Sequence, residues 1–200
     1  MSMKIRFQIL GCISAATILC NGSVSAADKP YDHELVTASL LDLLENPETL
    51  KFDQTTETKG KIVFAVPEFT ADLTSLTETL DDKEAFKSLP PSTQSGLREA
   101  ATNLTQRAAA KDGYTTPTQL DSRILVYTES LQAKDQKRYF WERTQLFRPL
   151  PPGYSKDGNF AVVQIEGTWS GNMHGAIFLT MFARRDGKWV KLTRCDMFLL

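Results

Sequence analysis

Two residue pairings in this chain could do chemistry. The first is Cys195 with His174, a thiol and an imidazole of the kind that make a nucleophile and its base. The second is Glu166 with Asp196, two carboxylates that could divide acid and base roles, with Arg194 two residues from Asp196. Trp169 beside His174 adds an aromatic surface that could contact a ligand. His33 is the only other histidine, and two separated histidines give no metal-ligand spacing, so neither metal nor cofactor is expected.

Whether these pairs meet depends on the strands that carry them. Five extended runs are read after Asp121: 123–131, 138–148, 159–169, 173–185 and 188–199. Gly171-Asn172 and Asp186-Gly187 are two-residue hairpin signals between the last three. Taken literally, they pair residue i with 343 − i in the first hairpin and with 373 − i in the second. One face then carries Ile165-Phe178-Cys195 and Trp169-His174-Leu199, the other Glu166-Ile177-Asp196 and Gln164-Leu179-Arg194. Cys195 falls four residues along the sheet from His174, roughly 13 Å away at about 3.3 Å per residue, so a dyad is not expected. Cys195 reads instead as a buried small hydrophobe beside Ile165 and Phe178.

Glu166 and Asp196 flank Ile177 at two strand spacings, roughly 9.5 Å, a separation that suits water-mediated glycoside chemistry. A solvated patch of ion pairs is the plainer reading. The same map gives Trp169, His174 and Arg194 as candidate ligand contacts. A bulge would flip every residue beyond it to the other face.

The first half of the chain supplies helices. Apolar spacing predicts them over about 32–46, 69–80 and 92–111, the last carrying Leu97, Ala100, Ala101, Leu104 and Ala108 on one stripe. Lys61 to Val66 reads as a short strand. Helices first and an antiparallel meander afterwards give an α+β domain, with a helical part over 27–120 and a sheet part over 121–200. The helices are expected on the apolar face of about five antiparallel strands. Asp186-Gly187-Lys188-Trp189 resembles the hairpin that closes many cone-shaped domains of the NTF2-like type, and an NTF2-like or cystatin-like cone is the alternative architecture. The tetrapeptide covers one hairpin, and the long helical half departs from a minimal domain of that type, so no family follows from it.

The N-terminus carries an address. Lys4 and Arg6 precede an uncharged, mostly apolar stretch from Phe7 to Cys20, then Val24-Ser25-Ala26. This is a signal-peptide pattern with cleavage expected before Ala27, and the apolar run is shorter than the roughly 20 residues a spanning helix needs. Residues 27–200 then form one domain in the periplasm or outside the cell, with no transmembrane segment after cleavage. They hold 21 basic and 24 acidic residues, a net charge of −3, which excludes a phosphate-gripping surface and gives no nucleic-acid partner. Cys12 and Cys20 leave with the signal, so Cys195 has no intramolecular disulfide partner. Lipid attachment is not expected, because Leu19 precedes Cys20 and the apolar run before Cys12 is too short.

These observations together favour an exported, non-enzymatic binding or accessory domain. Its partner would be a small molecule or a protein. A small-molecule hydrolase or isomerase with a cavity between sheet and helices is one alternative, and a partner-dependent inhibitor or assembly subunit is the other.

Overall fold

A computed structural model describes residues 32–46, 61–65, 76–110, 121–139, 144–169 and 174–199. Among these residues, five helices and seven strands follow in the order α1 (Asp32–Glu45), β1 (Ile62–Phe64), α2 (Leu76–Asp81), α3 (Glu84–Lys87), α4 (Pro91–Ala109), β2 (Ile124–Val126), α5 (Glu129–Asp135), β3 (Leu146–Pro149), β4 (Gly153–Tyr154), β5 (Phe160–Trp169), β6 (His174–Arg185) and β7 (Lys188–Leu199). The fold is α+β, with helices packed on an open, mixed sheet ordered β2-β1-β3-β5-β6-β7, and β4 paired to β5.

The expected helices at 32–46 and 92–111 form as α1 and α4. Pro91 opens α4, where a missing N–H costs nothing. Of the helix expected over 69–80, the described part is Leu76–Asp81; residues 66–75 lie outside the described residues. Three expectations need correction. The run 123–131 is not one strand: only Ile124–Val126 is extended, and Thr128 accepts a hydrogen bond from the Leu131 amide to start α5. The sheet is not wholly antiparallel, because β1 pairs in parallel with both β2 and β3. Helices cover both faces rather than one.

α1 lies on the face of Val163, Ile165, Phe178 and Phe182, burying Leu35, Val36, Leu40 and Leu43 against them. The helices α2 to α4 lie on the opposite face, over Val162, Leu179, Met181 and Cys195. Small residues let α4 approach closely. A Cβ on Gly153 would sit 2.0 Å from the Ala100 carbonyl oxygen and 2.5 Å from the Leu104 nitrogen. A Cβ on Gly96 would meet the Phe160 ring at 2.2 Å.

Two irregularities set which side chain faces which helix layer. The first lies between β3 and β4, which run along the same side of β5. Pro149 pairs with Ile165 but Gly153 with Val162, so four steps on one side match three on β5. The extra residue falls at Pro151-Pro152, which lack amide hydrogens for the ladder. The second is a bulge in β7. Phe182 pairs with Lys191 but Met181 with Thr193, leaving Leu192 extra.

The first hairpin keeps its expected register from Phe160–Ala183 to Trp169–His174. The second begins as expected. Asp186 (φ 51°) and Gly187 (φ 78°) are both left-handed, the geometry that a two-residue turn needs, and Arg185 pairs with Lys188. Beyond Leu192 the register moves by one and every β7 residue changes face. Cys195 therefore pairs with Leu179, not Phe178, and Asp196 pairs with Phe178 rather than Ile177.

Candidate functional site

The bulge rewrites the candidate pairs. Glu166 and Asp196 stand on opposite faces of the sheet, so the expected acid pair flanking Ile177 does not form; Met197 takes the Asp196 place in that row. Cys195 packs under α2 to α4 instead of beside Ile165 and Phe178. It is 4% exposed, and burial pushes its thiol pKa up, away from the reactive thiolate. His174 is five residues along β6 from the Cys195 partner Leu179, and pairs with Trp169 as expected.

Arg194 turns toward α1. It donates to Asp42 Oδ2 at 2.7 Å and to Asp196 Oδ1 at 2.7 Å, and Lys191 joins the same Asp42 carboxylate. Arg194 and Asp42 are 12% and 13% exposed at their side chains, so this network is an internal brace between the first helix and the last strand. The ligand-contact role expected of Arg194 has to compete with that brace.

A second brace joins three elements that sequence reasoning does not connect. Arg107, near the end of α4, gives Nη1 and Nη2 to the two Asp32 oxygens at 3.2 and 2.8 Å, and Nη1 also reaches the Pro152 carbonyl at 2.6 Å. The Tyr154 hydroxyl donates to Asp32 at 2.7 Å, and its ring lies 5.9 Å from that of Trp189. Burial, followed by the Asp32 charge, pushes the Tyr154 pKa up, so the phenol stays a donor. One signal was readable. Arg107 falls three residues after Leu104 on the apolar stripe of α4, where a charge must find a partner.

A polar row without an ion pair lies on the face under α2 to α4. Gln164, Glu166 and Thr168 follow one another along β5, and Arg148 on β3 is the ladder partner of Glu166. Gln164 is nearly fully buried at 2% exposure; Glu166, Thr168 and Arg148 are half-buried. Adjacent strands bring opposed Cβ atoms within about 5.5 Å. Even so, Arg148 and Glu166 make no ion pair within 4.0 Å. Arg148 Nη1 donates to the Thr168 hydroxyl at 2.8 Å, and Glu166 accepts only a long 3.5 Å bond from Gln164. Burial raises the Glu166 pKa, against the opposing pull of Arg148 and the Gln164 bond. Ile177 and Met197 continue the row and lean on the apolar layer beneath α2 to α4.

Glu166 was legible as a candidate because the first hairpin fixed its register and placed it in a polar row with Gln164. Arg148 was not, because its strand carries no hairpin signal to fix a register. Among the described residues, no three His, Cys, Asp or Glu side chains gather as a metal site, and no helix is long and apolar enough to cross a membrane. Compared with family models, curated proteins and solved structures, the chain matches none.

Proposed function

We propose that this protein is an exported, non-enzymatic binding domain, and that Arg148, Gln164, Glu166 and Thr168 form its ligand seat. The observation that carries this reading is the half-buried Arg148–Glu166 neighbourhood, where two opposed charges make no ion pair with each other. The other buried charges weighed above, at Asp32, Arg107, Asp42 and Arg194, are spent on holding helices to the sheet. A half-buried carboxylate whose neighbouring guanidinium points elsewhere costs stability, and such groups gather where a protein binds something. The leader pattern of residues 1–26 supports export.

Native mass spectrometry of the protein purified from its own host tests both parts. The expected polypeptide mass begins at Ala27, and the wild type carries an adduct that Glu166→Gln loses. An unprocessed N-terminus overturns export. Absence of an adduct on the wild type, or the same adduct on both proteins, overturns the seat.

A further inference from the structure

Resting on that seat, we infer that its ligand is a free α-amino acid with an apolar side chain, its carboxylate on Arg148 and its ammonium on Glu166.

The argument starts from the geometry of the unsatisfied pair. Arg148 and Glu166 are directly opposed on neighbouring antiparallel strands, yet they form no ion pair within 4.0 Å, and Arg148 acts on the carboxylate only through its field. Of the Arg148 donors, Nη1 is used by Thr168. The guanidinium keeps further N–H groups that fit a carboxylate, which it prefers to grip with two parallel bonds. Glu166 keeps acceptor capacity beyond the single long bond from Gln164. An anion and a cation a few ångströms apart match a ligand that carries both signs on one carbon.

A ligand with one sign fits less well. A simple carboxylate would satisfy Arg148 and leave Glu166 buried deeper with no counter-charge. A simple amine would do the reverse. Each case keeps the desolvation cost of one ion without its compensation. The rest of the row sets the side-chain preference. Ile177, the next ladder partner of Glu166, and Met197, the partner of Ile177, are both half-buried apolar residues. They offer an aliphatic side chain a hydrophobic surface, and methionine adapts to its shape.

L-leucine is the probe, titrated into isotopically labelled residues 27–200 and followed through the backbone amide signals of Glu166, Thr168, Ile177 and Met197. N-acetyl-L-leucine removes the cation and L-leucinamide removes the anion. Saturable shifts with L-leucine are expected, with affinity at least about tenfold weaker for either analogue. Glu166→Gln is expected to weaken leucine down to the affinity of N-acetyl-leucine, which itself does not fall, and Arg148→Gln to weaken leucine down to that of leucinamide, which itself does not fall. That convergence separates direct charge recognition from a fold defect, which would weaken all three ligands alike.

Absence of saturation up to about 10 mM leucine, or equal binding of leucine and both analogues, overturns the inference. If the host-purified protein nonetheless carries a Glu166-dependent adduct, the seat stands and only the amino-acid assignment falls. Loss of both results removes the seat as well.

Discussion

Glu166 costs the free protein stability, and the direction of its titration says when. Its folded pKa lies above the ordinary value of 4.5, so the native state binds its proton more tightly than the unfolded chain does. The penalty is absent well below that value, grows as pH rises through it, and is complete above the folded pKa. Glu166→Gln is therefore expected to raise the melting temperature at pH 7 and to leave it unchanged near pH 3. An equal or lower melting temperature at pH 7 would show that Arg148 neutralises the carboxylate in solution. Asp32, by contrast, has its partners in place. Asp32→Ala leaves Arg107 buried and uncompensated and is expected to cost about 3–5 kcal/mol in urea unfolding. Arg107→Met together with Asp32→Ala should cost less than the single change, since no lone ion remains.

The helices and strands are held by two approaches and one bulge, each open to a single change. Gly153→Ala drives a methyl group into the α4 backbone, which cannot step aside, and is expected to cost about 3 kcal/mol. Gly96→Ala meets the ring of Phe160, a half-buried side chain, and should cost less. Deleting Leu192 removes the extra residue in β7. The pairings from Met181–Thr193 onward are then kept in a regular ladder, and Arg194 still faces Asp42. A cooperative thermal transition by circular dichroism is the expected result; its loss would mean that the bulge itself is needed to seat Leu192 under the helices. The sequence showed the hairpin turns because Asp186-Gly187 has the left-handed preference that its conformation requires. It concealed the bulge because Lys191, Leu192 and Thr193 carry no special backbone conformation, and alternation alone tolerates a slip of one residue. The strands β1 to β4 were legible only in fragments. They are two to four residues long, and their pairing is decided by distant parts of the chain.

Across the whole molecule, the α+β class followed from helical spacing in the first half and alternation in the second. The placement of helices on both faces did not, because Val162, Leu179 and Met181 share their face with Glu166 and Gln164 and read as mixed. Among the described helices, α1 is the one that packs on the face of Val163, Ile165 and Phe178. A chain starting at Ala27 is expected to melt as the full-length protein does. One starting at Pro47 exposes that face and should fail to unfold cooperatively; a normal transition would show that α1 is dispensable.

The clasp between Asp42 and the pair Lys191 and Arg194 joins side chains that stand 149 and 152 positions apart in the sequence. Domains can begin to fold while the ribosome is still extending them. In this protein α1 can close its clasp only after β7 has been made, so the first helix stays unlatched while the segments between the two are synthesised. The late latch therefore makes β7 the element on which closure of the α1 layer waits.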